Sequence, residues 1–187
     1  MAKAGERIDS PSPYARSLVF RTTSRDNDGQ MLEMEAIFHT KSKLPPDHYH
    51  PIQAERFEVL EGELWTRIDG HERVYGAGES FDVSPGVRHQ MTNASTEVAT
   101  RMLWRVTPAL RTETYFETLF GLARDGKTSG VQGLLHAALL LREYRAELRL
   151  ASPPAFVQGP LFALLAPLAR ALGYRTWYPK YSPSERP

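Results

Sequence analysis

From about Ser17 to Val106 the chain consists of short runs of alternating apolar and polar residues separated by turn residues. The clearest runs are MLEMEAIF (31–38), RFEVLEG (56–62), ELWTRI (63–68), ERVYG (72–76), SFDV (80–83) and ATRMLWRV (99–106). A period of two places successive side chains on opposite faces of a strand. Many short strands at regular spacing predict an all-β sandwich or barrel, and no helical pattern interrupts them as a β–α fold would require.

One tight hairpin can be placed within this region. Asp69-Gly70 stands between the runs 63–68 and 72–76. An Asp-Gly pair accommodates the positive φ angles of a two-residue β-turn. The two runs are therefore predicted to pair.

After Pro108 the hydrophobic period changes to that of helices. A first helix is predicted over Glu113–Arg124, with Thr112 as its N-cap. A second is predicted from an apolar stripe at 3-4-3-4 spacing, ended by Pro153-Pro154, and its members are Leu134, Ala137, Leu141, Tyr144 and Leu148. A third is predicted over about 156–172, kinked near Pro167 and stopped at Gly173.

These patterns divide the chain into four segments: a flexible leader (1–16), a β domain (17–108), a helical extension (109–173) and an irregular tail (174–187). Hydrophobic residues make up 41% and charged residues 24% of the 187 residues, which permits a sizeable core. The net charge of +1, with Lys and Arg scattered, argues against nucleic acid as a partner. The chain has no cysteine, which excludes disulfides and thiolate metal sites. Because it also shows no signal peptide and no spanning segment, we expect a soluble, cytoplasmic protein.

The residues that carry chemistry lie in the stretch HYHPIQAERFEVLEG. His48 and His50 are two residues apart, so on a strand they project from the same face. Glu55 follows five residues after His50, and His89 lies further on in GESFDVSPGVRHQMTN. Imidazoles and a carboxylate converging on one point are the ligands that a divalent transition metal prefers. The four residues are the candidate metal ligands.

These two stretches resemble the two sequence motifs of the cupin superfamily. Residues 48–62 match the first motif, His-x-His, four residues, Glu, six residues, Gly, at every position, and residues 78–93 match the second at Gly78, Gly86, His89 and Asn93. The departure is Ser84, where the family usually has proline, although Pro85 follows it. The resemblance implies a double-stranded β-helix (jelly-roll) barrel, here with a C-terminal α-helical appendage. It also implies that His48, His50, Glu55 and His89 bind Fe, Mn, Ni, Cu or Zn.

Four protein ligands leave two positions of an octahedral ion open for water, substrate or O₂. The leading hypothesis is an oxygenase-type enzyme with one divalent transition metal, Fe favoured, in which Glu55 also acts as a general base. A non-redox metal-dependent isomerase or cyclase is an alternative. A small-molecule-binding cupin without turnover is another.

The substrate pocket is predicted from strand alternation. The residues that share the ligands' strand faces, or form the apolar face of the last strand, are Phe57, Val59, Met91, Met102 and Trp104. Such a lining would favour a small hydrophobic or aromatic substrate. Ordinary core packing is the alternative interpretation of the same five residues.

The helical extension is too apolar to stand free in water. Its apolar stripes are expected to cover the β domain or each other, with homodimerisation as the second alternative. A membrane surface is the third and least favoured, because the segment LFALLAPLARAL has few basic residues of its own.

Overall fold

The computed structural model describes residues 2–11, 14, 16–40 and 42–183. The parts of the predicted leader and tail at residues 1, 12, 13, 15 and 184–187 lie outside the described residues. The described strands are β1 (Arg7–Ser10), β2 (Arg16–Thr22), β3 (Leu32–Phe38), β4 (His48–Tyr49), β5 (Ala54–Glu61), β6 (Glu63–Ile68), β7 (His71–Gly76), β8 (Ser80–Val83), β9 (His89–Asn93), β10 (Thr100–Thr107) and β11 (Arg149–Leu150). The described helices are α1 (Thr112–Arg124), α2 (Gly130–Glu143) and α3 (Ala155–Ala171).

The strands form two antiparallel sheets. One has the order β1-β2-β3-β10-β5-β8, and the other has the order β11-β4-β9-β6-β7. The expectation of a mainly β jelly roll with a C-terminal helical region is confirmed. Over the described residues the strands pair into two separate sheets, so backbone hydrogen bonds do not close them into one continuous cylinder.

The main core lies on the inward faces of the strands. Alternation is clearest on β10, where Met102, Trp104 and Val106 are buried and Arg101 and Arg105 are partly exposed. The core also takes Phe20, Met34, Phe38, Phe57, Phe81, Leu64, Tyr75 and Met91 from other strands. The apolar residues Met102, Trp104 and Val106 of β10 therefore point inward, as the sequence pattern indicated.

The Asp-Gly hairpin is present as predicted. Strand β6 pairs with β7 from Glu63↔Gly76 to Ile68↔His71. Asp69 has φ 49° and Gly70 has φ 81°, the pair of left-handed conformations that a two-residue turn needs. This hairpin forms one edge of the second sheet.

The structure differs from the expected flexible leader over 1–16. Arg7–Ser10 form β1, which pairs antiparallel with β2 from Arg7↔Val19 to Ser10↔Arg16. Ile8 is 6% exposed and packs in the main core, while Arg7 and Asp9 face solvent. Its alternation is only four residues long, too short to stand out among the neighbouring prolines and charges.

The three helices occur close to their predicted places, with three differences. Helix α1 includes Thr112, so the N-cap is Arg111. Helix α2 ends at Glu143, ten residues before Pro153, and the strand β11 stands in between. Its buried stripe is not the predicted one: Leu134 is 48% exposed, whereas Leu135 and Leu139 are buried. In the sequence LLHAALLL the apolar residues are so dense that periodicity cannot select the face, and contact with α3 decides it.

Candidate metal centre

The four candidate ligands come from both sheets. His48 on β4 is the direct cross-strand partner of His89 on β9. His50 follows at the end of β4, and Glu55 belongs to β5 in the opposite sheet. The jelly roll therefore brings together, at one end of the core, side chains that are up to 41 positions apart in sequence.

The three histidines form a compact group. One ring nitrogen from each lies within 4.8 Å of the others. The ring centroids of His48 and His89 are 4.4 Å apart, and His50 lies 5.3 Å from each. The Glu55 carboxylate completes the cluster, with Oε1 at 3.3 Å from His50 Nε2 and Oε2 at 3.0 Å from His89 Nε2.

Each imidazole is oriented by a backbone carbonyl. Nδ1 of His48 donates to the Pro46 carbonyl at 3.0 Å, and Nδ1 of His89 donates to the Val87 carbonyl at 3.1 Å. Nδ1 of His50 donates to the Glu147 carbonyl at 2.5 Å. Since the proton is held at Nδ1, the Nε2 lone pair of each neutral ring is available to a metal, the arrangement usual for histidine ligands.

With the ring protons at Nδ1, two buried polar atoms in the cluster have no hydrogen-bond partner, because the 3.0 Å contact between Glu55 Oε2 and His89 Nε2 then joins two acceptors. The two atoms without a partner are His50 Nε2 and Glu55 Oε2. The other oxygen, Glu55 Oε1, accepts a hydrogen bond of 3.0 Å from Trp104 Nε1. Buried polar atoms are almost always satisfied in folded proteins, so this pair indicates a missing partner at the centre. A cation that accepts both nitrogen and oxygen donors would be such a partner.

The pKa shifts in the cluster are consistent with a cation binding site. Burial, together with the nearby rings of His89 and His50, lowers the pKa of His48 to about 3, so its imidazole is neutral at pH 7. Burial opposes ionisation of Glu55, but His50 and His89 outweigh it and lower the pKa of that carboxyl. Burial likewise opposes protonation of His89, but Glu55 outweighs it and raises the pKa of that imidazole. The site thus holds a buried carboxylate that requires a positive charge beside it.

The donor set suits a divalent transition metal. Three imidazoles, each neutral when it binds a metal, and one carboxylate match Fe, Mn, Ni, Cu or Zn and do not match the all-oxygen shells of Mg²⁺ or Ca²⁺. Such an ion would satisfy both orphaned atoms and balance the charge of Glu55.

The other motif residues are structural. Gly62 has φ 75°, and a Cβ there would lie 2.7 Å from the Ala99 carbonyl oxygen, so no other residue fits without a shift. Asn93 donates to the Phe38 and Val98 carbonyls at 3.2 and 2.7 Å. At the Ser84 departure the Val87 amide still donates to the Ser84 carbonyl, which preserves the turn before His89.

The helical extension also positions residues of the candidate metal centre. The sequence patterns did not predict this role. Strand β11 pairs with β4 through Arg149↔Tyr49 and Leu150↔His48. Arg111 binds the Glu147 carboxylate at 3.0 Å and the Glu143 carboxylate at 3.0 Å. This clamp fixes the segment whose carbonyl accepts from His50. Any residue has a backbone carbonyl, so no sequence signal could have identified Glu147.

The predicted pocket residues are all buried. Phe57 is 1% exposed and stacks on Trp104 with a centroid separation of 5.6 Å. These two lie next to Glu55, since Phe57 follows it by two positions on β5 and Trp104 donates to it. The remaining three, at 0%, 6% and 1% exposure, belong to the main core: Val59, Met91 and Met102. A substrate-binding role for the five stays a prediction.

Comparison with known families agrees with this geometry. Residues 34–106 match the Cupin domain family, a span that includes all four candidate ligands. This segment is a cupin domain. The cupin domain accounts for β3 to most of β10, whereas α1, α2, α3 and β11 follow it.

The chain resembles several known proteins at low sequence identity. A protein named as an oxidoreductase from Arthrobotrys oligospora is 23% identical over 120 residues, which is 60% of this chain and 46% of the relative. The chain therefore spans about half the length of that relative. An RmlC-like cupin from Shewanella frigidimarina is 21% identical with a TM-score of 0.47, covering 60% of this chain and 92% of the other. The structure of KdgF from a Halomonas species is 16% identical with a TM-score of 0.45, covering 55% and 86%.

Proposed function

We propose that this cupin binds one divalent transition metal, preferentially Fe²⁺, through His48, His50, Glu55 and His89, and that it is an oxygenase-type enzyme. The observation that carries the proposal is the pair of buried, unpartnered atoms, His50 Nε2 and Glu55 Oε2, at the point where the imidazoles converge. When bound, such a metal would offer open positions at which substrate and O₂ can meet.

The residues of the chain itself have distinct tasks in this proposal. The three backbone carbonyls hold the imidazole rings so that Nε2 faces the centre. Trp104 Nε1 holds Oε1 of Glu55, so Oε2 would be the oxygen that binds the metal, and Oε2 would accept a proton from a bound substrate only when it is released from the metal. Because the neighbouring histidines lower the pKa of Glu55, this carboxylate is ionised and can accept a proton, although as a weaker base than an ordinary carboxylate.

The surroundings favour an apolar or aromatic small molecule. Phe57 and Trp104 lie beside Glu55, and Phe81 stacks on Phe57 with a centroid separation of 5.0 Å. An aromatic wall next to the centre offers offset stacking to a planar substrate. The five predicted pocket residues enter the proposal in that role, with Phe57 and Trp104 nearest to Glu55.

One further observation favours an oxygenase over a non-redox enzyme. The curated relative from Arthrobotrys oligospora is named as an oxidoreductase. Two other functions are compatible with the same ligands: a non-redox isomerase or cyclase, and a binding cupin without turnover. Measurements of metal content, turnover and O₂ consumption distinguish them from an oxygenase.

The first experiment is elemental analysis of the purified protein beside the His48→Ala/His89→Ala variant. The proposal expects about one transition-metal ion per chain, lost in the variant. The iron-loaded protein is then offered small aromatic substrates while O₂ consumption is recorded, with Glu55→Gln as the comparison. Absence of metal even after anaerobic reconstitution would refute the metal site. A bound metal with turnover but without O₂ consumption would favour the non-redox enzyme.

A further inference from the structure

Three arginines from two elements line one cavity beside α3. Arg142 and Arg145 lie at the C-terminal end of α2, and Arg149 begins β11. The cavity measures about 430 Å³, which is within the range of small-molecule sites. Over the described part of the chain none of the three guanidinium groups forms an ion pair, and no carboxylate lines the cavity. We call it the arginine cavity.

Most of the cavity wall is apolar and belongs to packed elements. The apolar residues that line it come from α2, β11 and α3, and they are Leu141, Leu150, Ala155, Phe162 and Ala163. Ala166 and Ala169 continue the same side of α3 and pack, fully buried, on Leu135 and Leu139 of α2. The α3 wall is therefore held against α2. None of the described helices is long and apolar enough to cross a membrane.

Several donors in the arginine cavity have no acceptor within the protein. Nε of Arg149 donates to the Arg145 carbonyl at 3.1 Å, and its two Nη groups are left without an acceptor among the described residues. The Tyr49 hydroxyl, which also lines the cavity, has no hydrogen-bond partner among those residues. Nε2 of Gln158 donates to the Leu150 carbonyl at 3.0 Å, which holds that side chain in the wall. The cavity thus offers positive charge and donors to a ligand that brings acceptors.

The end of helix α2 accounts for only part of this charge. Basic side chains are favoured at the C-terminal end of a helix, where Arg142 and Arg145 lie. Arg149 does not lie there, because it belongs to β11 and reaches the cavity through its pairing with Tyr49. The two glutamates of this segment pair with Arg111 instead. Like charges that share a cavity repel each other, so the arrangement favours an anion between them.

The arginine cavity is separate from the candidate metal centre. Tyr49 stands between His48 and His50 in the sequence, and successive side chains of a strand point to opposite faces. The Tyr49 side chain accordingly lines the arginine cavity, whereas those of His48 and His50 belong to the histidine cluster. The two sites share strand β4 but no lining residue, so a ligand in the cavity does not require the metal.

We propose that the arginine cavity binds a small phosphate monoester with an aromatic body. The guanidinium groups of Arg142, Arg145 and Arg149 bind the phosphate oxygens, which the planar fork of an arginine matches in bidentate pairs. The rings of Tyr49 and Phe162 pack against the aromatic body. A phosphate monoester carries nearly two negative charges at neutral pH and a carboxylate carries one, so three unpaired arginines favour the phosphate.

The test is isothermal titration calorimetry of the full chain with phenyl phosphate, benzoate or inorganic phosphate, in a phosphate-free buffer of low ionic strength. We expect phenyl phosphate to bind about tenfold or more tightly than either of the others, because benzoate has less charge and inorganic phosphate has no ring. Arg142→Gln and Arg145→Gln should each weaken phenyl phosphate binding by about tenfold. Removal of the metal by dialysis against a neutral chelator and then buffer should leave this binding unchanged.

The matched control is Arg124→Gln, because Arg124 is an exposed arginine at the C-terminal end of α1 and lies outside the arginine cavity. It should bind phenyl phosphate like the wild type. Glutamine keeps a high helix propensity, so circular dichroism should show all three variants folded. Undiminished binding by Arg142→Gln and Arg145→Gln, or an equal loss in Arg124→Gln, would overturn the proposal. So would absence of binding, equal affinity for benzoate or inorganic phosphate, or loss of binding when the metal is removed.

Discussion

The backbone carbonyl oxygen of Glu147 accepts a hydrogen bond of 2.5 Å from Nδ1 of His50, a residue 97 positions earlier in the chain. Through this bond a segment outside the cupin domain orients an imidazole of the candidate metal centre. The Glu147 side chain, which is 3% exposed, is held by Arg111 at 3.0 Å. The helical extension is thus part of the site and not only a cover for it.

Replacing Arg111 with Met should weaken metal binding by about tenfold, the lower end of the effect of losing an outer-shell partner. The reason is that the segment carrying the Glu147 carbonyl loses its clamp, and the His50 ring is no longer held in one orientation. The measurement is a Co²⁺ titration in competition with a chromophoric chelator, at a temperature where circular dichroism shows the variant folded.

Arg56→Met serves as the control for Arg111, because Arg56 also forms an arginine–carboxylate pair, with Asp82 at 2.9 Å, but lies on the exposed side of β5. It should leave the Co²⁺ affinity unchanged. Equal affinities for all three proteins would show that the Arg111 clamp does not position His50.

Trp104→Phe should remove the hydrogen bond to Glu55 while keeping an aromatic ring against Phe57. Because the substitution leaves Glu55 Oε1 without a donor in a buried site, the metal-free protein should lose about 1–3 kcal/mol of unfolding free energy. Urea unfolding measures this loss. In the Glu55→Gln background the loss should be smaller, and a double-mutant cycle without coupling would contradict the proposed contact.

Gly62→Ala should destabilise the protein much more than Gly70→Ala. Both glycines have positive φ, which costs alanine about 1–2 kcal/mol, but only at position 62 would the new Cβ meet a backbone oxygen, at 2.7 Å. At position 70 nothing lies within 4 Å. Thermal unfolding of the two variants measures the difference, and equal effects would show that conformation alone requires the motif glycine.

Metal should stabilise the fold through the same four residues. A ligand that binds only the folded state at about 100 times its Kd adds about 2.7 kcal/mol of unfolding free energy. Zn²⁺ or Co²⁺ should therefore raise Tm of the wild type, and a chelator should reverse the change. The His48→Ala/His89→Ala variant should show no shift, and a shift of wild-type size there would place the metal elsewhere.

Several features were determined by the sequence itself. Alternation over β5, β6 and β10 identifies the strands and their buried faces, because the side-chain period of a strand is local. Asp69-Gly70 identifies the hairpin, since positive φ at both positions restricts the residues that can occupy it. The spacing of His48, His50 and His89 identifies three imidazoles that the fold brings together, and Glu55, predicted with them, contacts His50 and His89.

Other features were decided only by the tertiary structure. The Glu147 carbonyl at His50 and the Trp104 indole at Glu55 depend on chain segments meeting across 97 and 49 positions, and neither contact has a local signature. Strand β1 exists because β2 offers a free edge, and α2 buries Leu135 instead of Leu134 because α3 packs there. The arginines beside α3 likewise converge from separate elements. Local sequence specifies periodicity and turn chemistry, whereas contacts between distant segments follow from how the folded elements pack.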